Sequence, residues 1–206
     1  MIFQAKGIQR KAGVAVLISD ERDFKIKRVK KDIEGYFIII KRIMRQEDIT
    51  HINISALNQR APKYIKQLLT EQKGETDQNT IVLGELNTPL SVMDRSSKQK
   101  INEDTLDQLD VIDIYRAFHP KTAAYTFFSS AYGTFLRTDH ILRHRDSFDK
   151  YKRVEIIPTI FSDHNALKLE INCKKKAERT TYTWRLNNIP LKNNWVTEEV
   201  KRSRNT

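Results

Sequence analysis

Short apolar runs separated by polar and turn-forming residues recur along the chain, and they predict strands more often than helices. Val14–Ile18, a mostly branched run after Gly13, reads as a buried strand. Gly35–Ile40 reads as another, and Ile49–Ile54 alternates apolar and polar positions as a half-buried strand does. The charged stretch Lys41–Asp48 between them predicts a hairpin loop. Pro62 suits the first turn of a helix over Ala61–Gln72, with Ile65, Leu68 and Leu69 on one face, and Lys73–Asp77 ends it. Thr80–Leu83 is then a buried strand that stops at Gly84. Tyr125–Phe128, Asp139–Leu142, Val154–Ile157 and Ala166–Ile171 follow as further strands. Many strands, few helices and short connections favour a layered α/β fold with mixed or antiparallel sheets over a doubly wound parallel sheet.

The alternation stops after Ile171. Residues 1–172 therefore read as one domain and residues 173–206 as a basic tail carrying Trp184 and Trp195. Composition sharpens this division. Of a net charge of +11, the segment from Cys173 onward carries +6, from nine Lys/Arg against three Glu. A basic excess of this size suits a polyanionic partner, nucleic acid first, although a soluble basic protein would also show it. With 31% charged residues and no apolar stretch approaching ~20 residues, no membrane-spanning helix is expected. The first residues lack the apolar core of a signal peptide, and Cys173 is the sole cysteine. Both fit an intracellular protein that is not secreted, nuclear or cytoplasmic.

Candidate chemistry gathers where apolar strands end. In Leu83–Pro89, Glu85 and Asn87 stand two apart and would project to one side of an extended segment, able to orient a water and bind a phosphate oxygen. A strand turning into a loop would carry the same residues. Asp139 opens one strand. Ser162-Asp163-His164 leads into another and supplies an imidazole suited to proton transfer, or simply a capped turn. Gly-rich phosphate loops, zinc-spaced Cys/His clusters and serine nucleophile elbows are absent from the sequence. Tyr125, Phe127 and Phe128 read as core packing rather than a base-stacking platform.

Taken in order, Gly84-Glu85-Leu86-Asn87-Thr88-Pro89-Leu90, Asp94-Arg95-Ser96, Ile112-Asp113-Ile114-Tyr115-Arg116, His119-Pro120-Lys121, Tyr125–Ser129, Asp139-His140-Ile141 and Ser162-Asp163-His164 closely resemble the endonuclease domain of LINE-type retrotransposon proteins. That domain is grouped in the endonuclease/exonuclease/phosphatase superfamily with apurinic endonucleases and exodeoxyribonuclease III. The tail segment Thr183–Asn188 resembles the linker toward a reverse transcriptase. The resemblance implies a deoxyribonuclease-like, four-layer α/β sandwich of two mixed β-sheets flanked by helices, hydrolysing phosphodiester bonds in DNA with Mg²⁺, or Mn²⁺ in its place. It implies that His164 contacts the scissile phosphate, Asp139 orients the imidazole, and Asn87 binds phosphate or water. Glu85 would activate the nucleophile, and Asp163 would lie near the metal. Asn58, Thr126 and Ser162 would lie close to the DNA.

The departures from the family pattern are specific. Glu85 replaces an aspartate, and Ser55 replaces a tyrosine. The chain starts part-way into such a domain, so the first strand and helix, with the principal metal-binding glutamate, are expected to be missing, along with a few residues around Glu103–Asp110. These departures imply a destabilised domain with impaired hydrolysis. The alternative is a silent relic that still holds nucleic acid.

Overall fold

The computed structural model describes residues 1–7, 13–19, 24–44, 47–56, 61–72, 77–96, 110–145 and 150–172. All of them fall in the compact unit Met1–Cys173. The expected basic tail, Asn58, and the shortened stretch before Asp110 lie outside the described residues.

The centre is a six-stranded sheet built from β3 (Phe24–Lys31), β4 (Phe37–Met44), β5 (Glu47–Ser55), β6 (Thr80–Glu85), β10 (Asp139–His144) and β7 (Val111–Asp113), in that spatial order. It is mixed: β5 and β6 run parallel, joined through α1 (Ala61–Glu71), and the other neighbours are antiparallel. Side chains alternate between its faces. Ile39, Ile52, Ile54, Val82 and Leu142 point to one face and bury Ile65, Leu68 and Leu69 of α1. Ile49, Ile81 and Ile141 point to the other, where they meet Tyr151 and Val154 of β11 (Tyr151–Ile157) and Leu167 and Leu169 of β12 (Ala166–Ile171). Ile114 and Tyr115 of the short α2 (Ile114–Phe118) join that second core.

The same second face carries another strand pair, β1 (Ile2–Lys6) with β2 (Gly13–Leu17), packed on Ile38 and Ile40. The expected second sheet thus exists as two antiparallel pairs, β1–β2 and β11–β12, and no strand among the described residues joins them. On the β12 side of that division, β12, β6 and β10 line a cleft of about 420 Å³ with His51 of β5 in its wall. A last pair, β8 (Phe127–Ser129) with β9 (Thr134–Leu136), forms a separate hairpin.

Two expectations change. Within the expected Lys41–Asp48 loop, residues 41–44 and 47–48 are strand instead: β4 and β5 stay paired out to Met44↔Glu47. Its charges are accommodated because alternate positions of a strand can face solvent, and Asp48 pairs with Lys27 of β3. The Tyr125–Phe128 stripe does not enter the core. Phe128 is exposed and stacks on Phe135 at 4.6 Å, while Tyr125 and Phe127 are half-buried.

Gly84 is required by geometry. Its φ is +128°, and an added Cβ would stand 2.0 Å from the Ile54 carbonyl oxygen, so no side chain fits where β6 delivers Glu85.

His51 gives the fold a pH signature. Burial, reinforced by the Arg42 guanidinium donating to its Nε2 at 2.9 Å, lowers its pKa to about 4. The unfolded chain, at the ordinary value of ~6.5, then binds the extra proton first, so this contribution is complete above pH ~6.5 and lost as pH falls toward about 4. At ~1.4 kcal/mol per pH unit the loss is about 3 kcal/mol. Urea denaturation across that window should show wild type losing about that much more stability than His51→Gln; parallel pH profiles would contradict it.

Candidate active site

The site assembles at one end of the central sheet because of strand register. Asp139 of β10 sits opposite Glu85 of β6, so both carboxylates project from the same face. The segment between β11 and β12 brings His164 over them. Its Nδ1 lies 2.8 Å from Asp139 Oδ2, and its Nε2 lies 3.7 Å from Glu85 Oε1. The imidazole is thus flanked by two carboxylates, and Asp139, the nearer, holds the Nδ1 proton. Phe127 stacks on the ring at 4.7 Å, and a backbone bridge joins Phe127 to His164. His164, Asp139 and Glu85 are each partly open to solvent.

Asn87 follows β6 in the left-handed conformation, φ 50°. Its Nδ2 donates to the Ala56 carbonyl at 2.7 Å, which fixes the amide orientation because a carbonyl can only accept. Leu86 N–H donates to Thr138 O at 2.9 Å, and Ala56 N–H to Glu85 O at 2.8 Å, so the turn is tied on both sides.

Thr126, expected close to the DNA, lies inside the fold. It is fully buried, and its Oγ1 accepts from the Thr138 and Asp139 N–H groups at 3.2 and 3.3 Å. It supports Asp139 from beneath. Ser162 is exposed and orders the turn, its Oγ accepting from His164 N–H at 3.1 Å and donating to Asp163 Oδ1 at 3.4 Å. Asp163 is exposed, and Ser55 ends β5 opposite Glu85. The structure therefore brings His164, Asp139 and Glu85 together with Asn87 on the adjoining turn, and it leaves Asp163 at the rim.

Behind this site lies a network that sequence reading missed. Arg137 is 0% exposed; its guanidinium donates to Asp94 and, at 2.7 Å, to Asp113 Oδ2. Arg116 also bonds Asp94, whose Oδ2 accepts from Leu90 N–H. His140 Nδ1 reaches Asp113 Oδ2 at 2.7 Å. Burial opposes ionisation of Asp113, but the bonds from His140 and Arg137 prevail and hold its carboxyl well below the usual carboxylate range. The available sequence signal was opposite charges placed inside apolar runs, Asp113 between Ile112 and Ile114, and Arg137 just ahead of β10.

Metal fit divides between two places. Asp94, Asp113 and His140 put three possible ligand atoms within 4.8 Å of one another, the one such group among the described residues. Two guanidiniums already engage its carboxylates, so the set is charge-compensated without a metal. At the strand ends, Glu85 and Asp163 offer solvent-accessible carboxylates. A hard cation that keeps several waters needs few protein ligands, and the exposed Asp163 carboxylate suits such an ion.

No protein-family model matches the chain. Solved structures do. The endonuclease domain of TRAS1, a telomere-specific non-LTR retrotransposon, aligns with TM-score 0.67 and 15% identity, covering 85% of this chain and 81% of that one. The AP endonuclease LMAP from Leishmania major aligns at 0.57 and 15%, covering 83% and 61%. The 3′ phosphatase NExo from Neisseria aligns at 0.56 and 21%, covering 77% and 74%. The chain has the deoxyribonuclease-like α/β fold of these structures. Its similarity extends to the fold of a retrotransposon endonuclease domain, as the motifs led us to expect.

Buried and exposed ion pairs should part company on mutation. Asp94→Ala strips partners from two guanidiniums and should cost about 3–5 kcal/mol in urea unfolding. Asp48→Ala, which removes an exposed pair, should cost under ~1 kcal/mol. Equal losses would contradict the burial argument.

Proposed function

We propose that the chain hydrolyses phosphodiester bonds in DNA, slowly, with magnesium. The observation that carries this reading is the bracketing of His164 by Asp139 and Glu85 at the strand ends, with Asn87 on the adjoining turn.

In this reading water attacks phosphorus as the bond to the leaving ribose oxygen breaks, and that oxygen takes its proton from solvent. Glu85 accepts the water proton. His164, with its Nδ1–H committed to Asp139, presents Nε2 to the phosphate, where donors aimed at developing negative charge lower the barrier. The turn carrying Asn87 is fixed through Ala56, which gives the amide a constant place against the phosphate or the water. Magnesium, or manganese in its place, would be held by Asp163 and the substrate, and when bound would supply charge neutralisation on the phosphate. Glu85 is longer by one methylene than the aspartate the resemblance leads one to expect, so the base is displaced by ~1 Å, a misplacement that can cost ~10²-fold.

A DNA substrate is supported by the net charge of +11. It is supported too by exposed rings on the chain segments that flank the site, Phe128, Phe135 and Tyr132 of the β8–β9 hairpin and Phe161 ahead of His164. The exposed Asp163 and the loose carboxylate set favour a second reading, a protein that holds DNA without cutting it. No described helix is long and apolar enough to cross a membrane. An intracellular place of action, nuclear or cytoplasmic, follows from the proposed substrate.

Nicking of supercoiled plasmid by purified protein tests the reading. Magnesium-dependent nicking that stops with EDTA and falls by ~10² or more in His164→Ala is the expected result. Salt-sensitive DNA binding with no nicking would replace it with the binding-only reading.

A further inference from the structure

The residue next to Asp139 along β10 does a different job on the opposite face. His140 is 1% exposed, and both of its ring nitrogens are committed: Nδ1 to Asp113 Oδ2 at 2.7 Å, Nε2 to the Thr88 carbonyl oxygen at 3.0 Å. A carbonyl oxygen cannot donate, so Nε2 must carry a hydrogen. Asp113 cannot donate either. Its Oδ2 already accepts from Arg137 Nη2, and its Oδ1 accepts from the Arg116 N–H that opens α2. Both ring nitrogens therefore face acceptors, and the ring is held from both sides.

The groups facing the ring are charged: the Asp113 and Asp94 carboxylates are balanced by the Arg137 and Arg116 guanidiniums, and His140 joins this network through Asp113. The ring's free arm is the bond to Thr88, the residue directly after Asn87. Asn87 holds a left-handed backbone that a non-glycine residue adopts at a cost, and such a conformation persists only where its surroundings over-determine it. Leu86 is tied before it and Leu90 after it, and the His140–Thr88 bond closes the interval.

We propose that His140 is a positioning residue, a buried imidazole that clamps the Thr88 carbonyl through Nε2–H and thereby sets the place of Asn87 in the active site. This rests on the hydrolytic reading for its effect on rate, but not for its clamp. The ring links the buried Asp–Arg network to the loop facing the substrate.

The first test needs no variant and no activity. Nitrogen-15 correlation spectra of the wild-type protein should show a hydrogen on His140 Nε2 and a hydrogen-bond coupling from Nε2 to the Thr88 carbonyl carbon. An Nε2 without a hydrogen, or no coupling to Thr88, overturns the proposal even if the protein cuts DNA. The second test is the His140→Gln variant. The Asn87 side-chain amide signals should shift, and single-turnover nicking should slow by ~10²-fold with KM little changed. Unchanged Asn87 signals overturn the clamp, and so does an equal rise in KM with kcat intact. If wild type proves inactive, the hydrolytic reading fails while the spectra still decide the positioning.

Discussion

A guanidinium sealed from water is tolerable only where carboxylates meet it, and Arg137 is such a group. Its two partners come from distant parts of the chain: Asp94 from the turn after β6, and Asp113 from the junction of β7 and α2. Meeting both fixes where β10 begins, how β7 lies along it, and how the Leu90–Asp94 turn closes. Asp113 also caps α2 through the Arg116 N–H, so one carboxylate ends a strand, starts a helix and neutralises an arginine. The cost of leaving any member unpaired, rather than the net strength of the pairs, is what makes the arrangement compulsory.

From that anchor the candidate site follows by the period-two alternation of a strand. Within β10, neighbouring side chains face opposite sides: Asp139 faces Glu85 and His164, and His140 faces the network. Thr126 secures the same point from below by accepting from the Thr138 and Asp139 N–H groups. Gly84 lets β6 press against Ile54 closely enough to deliver Glu85 to its place opposite Asp139. The chemistry proposed for the site thus depends on packing and charge pairing directly behind it.

Much of this was legible in sequence wherever a strand obeys one simple pattern. The apolar runs at Thr80–Leu83 and Ala166–Ile171 fold as expected, because burial on one or both faces leaves a plain hydrophobic signature. β3 was missed because Phe24–Lys31 alternates Ile26 and Val29 with lysines across a bulge, which breaks the period. Lys41–Asp48 misled because charge was taken as loop, whereas solvent-facing strand positions carry charge freely. The aromatic stripe misled in the opposite sense, since Phe128 lies exposed on a hairpin outside the core. At the site, His164, Asp139, Glu85 and Asn87 were readable as polar residues at strand ends. Thr126 was not, since nothing in its neighbours distinguishes a buried hydroxyl that props a strand from one that faces a ligand. Nor was the Arg137 network, whose members are up to 46 positions apart between Asp94 and His140 and meet only once the sheet has formed.

The central claim is an assembled phosphodiesterase centre held slightly out of tune by the length of Glu85. Comparing the magnesium-dependent nicking rate of Glu85→Asp with wild type tests it most directly. Shortening the side chain should raise the rate, by up to ~10²-fold if the misplacement is worth ~1 Å, while Asp139 and His164 stay in contact. A rate that falls or does not change would contradict the account, showing either that Glu85 is already well placed or that it takes no part in the reaction.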